Sequence, residues 1–340
     1  MVEPNRRAPL STRFIARHWL QDSWLSRTLA PLDWLHGGML ALRRANYRLG
    51  FFAQHRLPVP VIVIGNFFIG GTGKTPLVVA LVEALRRAGF SPGVVSRGYG
   101  STARAPRAVR AGDDAAAVGD EPLLIAERTG LPVWIGRQRA QVGHAMLAAE
   151  PSVNVIVCDD GLQHLALARD IEIAVFDERG VGNGRLLPAG PLRERVRPVD
   201  AVVCNGAACS SGEFAMTLAP AGLTRVGHGP VNTSALAGLH AVAIAGIGNP
   251  ARFFRTLADI GVEASRHVAF PDHHRFTADD LRFPECDAIV MTEKDAVKCR
   301  TLGSSIPLYA LRVDAKLDAS FAMQIIHTLQ SVRAHGRASA

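Results

Sequence analysis

The chain has 340 residues, of which 48% are hydrophobic and 20% charged. That is apolar material for two modest folded units or one large one, and it excludes an extended, disordered polymer. A net charge of +8 and an isoelectric point near 9.8 point to an anionic partner: a nucleotide, a nucleic acid or an acidic membrane surface. The five cysteines, Cys158, Cys204, Cys209, Cys286 and Cys299, form no CxxC pair and are odd in number, which favours reduced thiols and a cytosolic setting.

From Thr12 to Phe52, Trp19, Trp24 and Trp34 are interspersed with Arg13, Arg17, Arg27, Arg43, Arg44 and Arg48, opposed only by Asp22 and Asp33. No apolar run there is long enough to span a bilayer, and no signal-peptide layout is present. Apolar residues at helical spacing with arginines between them describe helices lying in a membrane interface. A helical hairpin packed on the protein's own core, broken at Pro31, is the alternative.

Next comes "VIVIGNFFIGGTGKTPLVVALVEAL", residues 61–85. The apolar run Val61 to Ile64 reads as a strand and Pro76 to Leu85 as a helix, with a glycine-rich loop between. A triphosphate needs a concave row of backbone N–H groups, an ammonium for the β/γ charge, a hydroxyl for Mg²⁺ and a helix N-terminus behind. Gly70, Gly71, Thr72 and Gly73 supply the loop, Lys74 the charge and Thr75 the hydroxyl. The usual spacing asks for a glycine at 68, where this chain has Phe68; Gly65-Asn66 offers an alternative entry turn.

Beyond the loop, apolar strands and amphipathic helices alternate, the pattern of a parallel α/β sheet. Strands are expected at 61–65, 92–96, 132–135, 153–158, 171–176 and 199–204, and helices at 75–88, 121–129, 138–149 and in part of the 190s. In "VNVIVCDDGLQH" (153–164) the strand ends in Asp159 and Asp160, placed to reach a metal held by the loop threonine. In "GDEPLLIAERTG" (119–130), Asp120 either N-caps a helix or takes a proton from an attacking hydroxyl. Arg97, Arg137, Arg139, Arg185 and Arg193 fall at expected strand ends, which border the ligand crevice in a doubly wound sheet, and suggest a second anionic ligand.

Residues 205–235 read as a boundary with short strands or a linker. A second α/β unit follows, with strands at 240–245, 287–291 and 306–312 and helices at 250–260 and 317–333. Its "GIGNP" turn is weak evidence for phosphate binding. "FPDHHRFT" (270–277) groups Asp272, His273 and His274. They can ligate a metal, tune a carboxylate across a cleft, or form a solvated polar loop.

Taken together, "GNFFIGGTGKTP", "VVSRGYG", "GDEP", "DDGLQH", "LLPAGPLRE", "FPDHH" and "TEKDAVK" resemble the tetraacyldisaccharide 4'-kinases, the lipid A 4'-kinases of Gram-negative bacteria, in order and from about residue 10 to 320. The resemblance accounts for Phe68, since the family's loop has this form. It implies transfer of the ATP γ-phosphoryl, with Mg²⁺, to the 4'-hydroxyl of a tetraacylated glucosamine disaccharide 1-phosphate. The site would be at the cytoplasmic face of the inner membrane, with the enzyme peripheral to an anionic surface and without an obligate protein partner. It implies Asp120 as base paired with His273, Lys74 on the phosphates, and Thr75 with Asp159 and Asp160 around Mg²⁺. Asn66, Arg97, Gln163, His164, Arg193 and Glu194 would line the substrate cleft. The implied fold is a P-loop NTPase-type parallel sheet with helices on both faces (57–204), preceded by amphipathic helices (1–56). A linker (205–235) and a smaller α/β domain (236–340) complete it.

Two other readings compete. A membrane-associated P-loop ATPase or GTPase switch would normally carry a lysine where Ile69 stands, and "TEKD" at 292–295 only faintly matches Asn-Lys-x-Asp. A nucleic-acid binder rests on isoelectric point alone, and the basic residues cluster with tryptophans rather than in an RNA- or DNA-binding motif, so no nucleic-acid partner is expected.

Overall fold

Every residue of Val61–Gly65 is buried, and its side chains divide between two cores: Ile62 and Ile64 on one side, Val61 and Val63 on the other. A strand apolar on both faces belongs in the middle of a parallel sheet covered twice, and that is its place in this computed structural model. The structure describes residues 2–3, 18–206 and 210–337, so Thr12 to Arg17 and Cys209 lie outside the described residues.

In chain order the elements are β1 (Val2–Glu3), α1 (Trp24–Thr28), α2 (Ala30–Arg48), β2 (Val61–Gly65), α3 (Lys74–Arg87), β3 (Pro92–Ser96), β4 (Arg107–Val109), α4 (Ala115–Val118), α5 (Asp120–Thr129), β5 (Val133–Ile135), α6 (Arg139–Ala149), β6 (Val155–Asp159), β7 (Ile171–Asp177) and β8 (Ala201–Asn205). The second half has β9 (Phe214–Arg225), β10 (Gly229–Val231), β11 (Ala241–Ala245), α7 (Pro250–Asp259), β12 (Arg266–Ala269), β13 (Ala288–Thr292), α8 (Glu293–Cys299), β14 (Leu308–Leu317) and α9 (Ala319–Arg337). All strands join one sheet, ordered β1-β12-β11-β13-β14-β9-β8-β7-β2-β6-β3-β5-β4 with β10 on β9. Pairings along that order are parallel except β14 with β9 and β4 with β5. In the first half α3 and α5 pack on one face and α6 on the other.

Three features depart from the sequence expectation. No helix forms in the 190s; residues 185–200 are an irregular run that buries Leu186 and Leu192 and is pinned by side chains from elsewhere. The boundary segment carries the 12-residue β9, whose antiparallel pairing with β14 joins both halves of the sheet. The terminal helix α9 crosses back to the first half, burying Phe321, Ile325 and Leu329 in the core under α3.

Helix α2 has two differently used faces. Asp33, His36, Gly37, Leu40 and Arg44, at helical spacing, turn inward: Asp33 accepts from the Leu186 N–H at 2.7 Å, and His36 Nδ1 lies 2.8 Å from the Leu187 carbonyl. Leu35, Met39 and Leu42, also at helical spacing, stand exposed beside Trp34, and Trp24, Leu49 and Phe51 extend the apolar surface. One face of this segment thus packs on the protein, as the hairpin alternative expects, and the other is left bare. Among the described residues, no helix is long and apolar enough to cross a membrane.

Candidate active site

The loop between β2 and α3 is shaped from inside and outside. Asn66, fully buried, donates through Nδ2 to the Gly70 carbonyl at 3.1 Å and the Thr72 hydroxyl at 3.2 Å. Asn205 Nδ2 donates to the Thr72 carbonyl at 3.0 Å, and Arg179 Nη2 to the Gly71 carbonyl at 2.8 Å. Gly73 sits at φ 89°, where a Cβ would also fall 2.3 Å from Asn205, so only glycine fits. Phe68 is buried at the loop entry, bridged to Leu192 and covered by the Arg179 guanidinium at 4.4 Å. It anchors the loop where the common pattern bends it with glycine. Lys74 opens α3, and Thr75 lines the cleft with Gly71, Glu121, Asp272 and Lys294.

The register Ile64↔Asp159 sets the β6 carboxylates beside that loop. Asp159 is buried, takes the Ser96 hydroxyl at 3.4 Å through Oδ2, and has no partner for Oδ1. Burial first, then the charges of Glu121 and Asp160, push its pKa up to about 7. Asp160, at φ 48°, also suffers burial, but Lys74 at 3.5 Å and Arg193 Nη1 at 3.0 Å from both oxygens outweigh it and hold the carboxyl below its ordinary value. An orphaned, buried carboxylate oxygen at the foot of a phosphate loop fits a divalent cation. The described residues hold no cluster of three or more acids, histidines or cysteines for a full protein cage. Two carboxylates and a hydroxyl suit Mg²⁺, which keeps waters and phosphate oxygens in its shell.

Asp120 is the first residue of α5. Gly119 takes the N-cap position in its place, and Asp120 Oδ1 accepts from the Glu121 N–H at 2.9 Å, so the expected N-cap role for Asp120 does not hold. Its Oδ2 is 3.2 Å from His273 Nδ1, with Lys298 at 3.9 Å and Lys294 at 4.0 Å. Burial raises its pKa, but the His273 hydrogen bond and the two lysines overrule it and bring it down to about 2. For His273 burial works downward, and the Asp120 hydrogen bond and charge, with Asp272, carry the pKa above its ordinary value against Lys294. His273 itself has a left-handed backbone, φ 58°, and its ring lies 4.9 Å from that of Tyr99. His274 points elsewhere, 3.1 Å from Asp280 and stacked on Phe270 at 4.6 Å, so it serves the local fold.

The remaining residues expected around the cleft divide. Gln163 Nε2 donates to the Asn66 carbonyl at 2.9 Å and to Glu194 Oε1 at 3.0 Å, which ties Asn66, Gln163, Glu194 and Arg193 to the loop. Arg97 is exposed at the end of β3. His164 is half-buried and held near pKa 4 by burial and by Arg139, Arg169, Arg43 and Arg97. Arg185 does not border the cleft; it lies 3.7 Å from Asp22.

Sequence reasoning passed over Lys294, which is 3.0 Å from Glu121, 3.4 Å from Asp272 and 3.4 Å from His273 Nε2. Its only signal was the "TEKD" stretch, weighed there as a faint base-recognition motif. In the structure Asp295 of that stretch is wholly buried, accepting from the Gly246 N–H at 2.9 Å, and reads no base. The "GIGNP" turn was underweighted too: a Cβ on Gly248 would lie 3.1 Å from the Gly71 nitrogen, so this turn abuts the phosphate loop.

Residues 25–330 match the family model described as tetraacyldisaccharide-1-P 4'-kinase. The chain belongs to the tetraacyldisaccharide 4'-kinase family. Similar curated members include a tetraacyldisaccharide 4'-kinase of Janthinobacterium sp. (strain Marseille), 47% identical over 93% of this chain and 96% of that one. Another, from Dechloromonas aromatica (strain RCB), is 46% identical over 92% and 97%. Among solved structures, LpxK from Aquifex aeolicus in complex with ATP superposes with a TM-score of 0.77 at 28% identity, covering 90% of this chain and 99% of that one. The P-loop α/β fold expected for this family is thus the one found.

The charge pattern around the dyad sets a titration. Because its pKa is raised, His273 stays protonated above its ordinary value, and its pairing with Asp120 is complete below the unfolded-state value and lost as pH rises through the folded one. Imidazole NMR should show His273 titrating above 6.5 in the native protein and moving down in Asp120→Asn. An unmoved His273 would mean that Asp120 does not set its charge.

Proposed function

We propose that this member of the family, an ATP-dependent kinase of lipid A biosynthesis, transfers the γ-phosphoryl of ATP to the 4'-hydroxyl of tetraacyldisaccharide 1-phosphate through Asp120 and His273. The observation that carries this reading is the pairing of Asp120, on α5, with His273, from the second half, beside Glu121, Asp272 and Lys294, which line one cleft with Lys74 and Thr75. Phosphoryl transfer asks little covalent work of a protein; it asks for in-line positioning, cations on the phosphates and an acceptor for the hydroxyl proton.

In this assignment Lys74 and the loop N–H groups hold the β- and γ-phosphates. Thr75, Asp159 and Asp160 would hold Mg²⁺, which would neutralise phosphate charge. A carboxylate with a pKa near 2 is a weak base by itself, so the proton is taken by the pair, with Asp120 receiving it and His273 sharing the charge. Phosphate charge entering the cleft competes for Lys294 and raises the basicity of the pair. The family match favours the kinase over the "switch" reading.

The bare face of α2 gives the site its location. Trp34 is 72% and Leu35 64% exposed, too much contiguous apolar surface to leave in water, and exposed arginines such as Arg43 and Arg48 flank it. We assign this face to the anionic surface of the membrane that holds the four-chain substrate, at the cytoplasmic side where ATP is available. The enzyme is peripheral there and takes the sugar from the bilayer surface.

In detergent micelles with Mg-ATP and tetraacyldisaccharide 1-phosphate, mass spectrometry should show the lipid gaining one phosphoryl group. Lys74→Ala should abolish the gain, and His273→Ala should reduce it by about 10²-fold or more, His274→Ala by much less. ATP consumption with unmodified lipid would overturn the acceptor assignment. Separately, Trp34→Asp/Leu35→Asp should reduce sedimentation with anionic vesicles several-fold while leaving the fold intact by circular dichroism. Full retention on vesicles would remove α2 as the membrane contact.

A further inference from the structure

Resting on that kinase reading, we infer that Arg44 of α2 is a positioning residue of the active site, and that the membrane-facing helix is thereby built into the phosphate and metal centre. An unbroken run of polar contacts leads from one to the other. The Arg44 guanidinium pairs with Glu194 Oε2, and that carboxylate is almost wholly buried. Glu194 Oε1 accepts from Gln163 Nε2 at 3.0 Å, and the same nitrogen donates to the Asn66 carbonyl at 2.9 Å, at the root of the phosphate loop. Gln163 Oε1 lies 3.5 Å from Arg193 Nη1, which donates to both oxygens of Asp160 at 3.0 Å, and Asp160 meets Lys74 at 3.5 Å.

The backbone carrying Arg193 and Glu194 is fastened to the same N-terminal segment. Trp19 Nε1 donates to the Pro188 carbonyl at 3.0 Å, Asp33 takes the Leu186 N–H at 2.7 Å, and Arg195 Nη2 donates to Asp33 at 2.9 Å. On α2, Arg44 is two residues from Leu42 and five from Met39, both on the bare apolar face. Whatever seats that face also sets the height of Arg44 over Glu194.

The charges predict what happens when Arg44 is removed. Glu194 is left as a buried carboxylate without its cation, and its remaining partner, Gln163, is the side chain that also touches Arg193. Arg193 then leaves Asp160, Asp160 falls back on Lys74, and one of the two carboxylates placed for Mg²⁺ is tied up by the lysine meant for phosphate. A helix serving only as an anchor would show none of this.

The test uses the full chain and three variants: Arg44→Ala, Arg44→Lys, and Arg44→Ala combined with Glu194→Gln. Binding of a fluorescent ATP analogue is titrated with Mg²⁺ in the absence of lipid, anionic vesicle sedimentation is measured, and kcat and KM for the lipid are taken in micelles. Arg44→Ala should need about tenfold more Mg²⁺ for half-maximal nucleotide binding and lose about tenfold in kcat, with vesicle binding and lipid KM unchanged. Arg44→Lys should recover most of both. In the double variant the Mg²⁺ requirement should return toward that of the native protein, because a neutral side chain at 194 does not capture Arg193. That variant also carries the test if Arg44→Ala fails to fold. A native Mg²⁺ requirement in a folded Arg44→Ala would overturn the inference. So would a double variant no better than Arg44→Ala, or loss of vesicle binding in step with kcat. If the native protein binds Mg-nucleotide but phosphorylates no lipid, the kinase reading fails, and the Mg²⁺ titrations still decide the role of Arg44.

Discussion

One buried ammonium, that of Lys294, holds the two halves of the site together. Asp120 and Glu121 reach it from the first residues of α5, Asp272 and His273 from the loop after β12, and the lysine itself rides on α8. Burial alone would push its proton off, yet Glu121, Asp120 and Asp272 more than compensate, so its pKa rises. Three carboxylates in so small a space would otherwise repel one another. Around this point the halves add further pairs, Arg128 with Glu293 at 2.8 Å and Arg300 with Glu127 at 2.6 Å. The Asp120–His273 pair thus forms where the halves meet.

Three acids of the site are kept in different electrical states by their neighbours. Asp159 is driven up to about 7 by burial and by adjacent anions, and its Oδ1 has no hydrogen-bond partner among the described residues. Asp160 is held down by Lys74 and Arg193, and Asp120 by His273 and two lysines. Glu194, a fourth, touches neither loop nor nucleotide position and instead links the α2 helix to the rest. Neighbouring carboxylates can do separate work because each answers to a different cation.

Much of this was legible in the sequence, for physical reasons. The phosphate loop announced itself because strand, glycines, Lys74-Thr75 and helix must follow in that order for backbone N–H groups to face phosphate. Two-sided burial made β2, β11 and all of β6 but its terminal Asp159 free of charged and polar side chains, and their bounds were read within a residue or two. The roles of His273 and Asp120 came through family resemblance, and the geometry brings the two side chains together. What local pattern could not carry was long-range. The run 185–200 has helix-compatible residues but is shaped by Trp19, Asp33 and His36 from more than a hundred residues away. Lys294 looks like any helix lysine until the fold surrounds it with acids. The return of α9 to the first half depends on where β14 ends, which no periodicity encodes.

The central claim is that Asp120 and His273 act as one device across the join between the halves. A double-mutant cycle on kcat for lipid phosphorylation tests it most directly, with Asp120→Asn, His273→Ala and the two combined. The account predicts that the combined variant is about as slow as the slower single one, with nucleotide binding kept in all three. Independent, multiplying losses would contradict it, because each residue would then be contributing without the other.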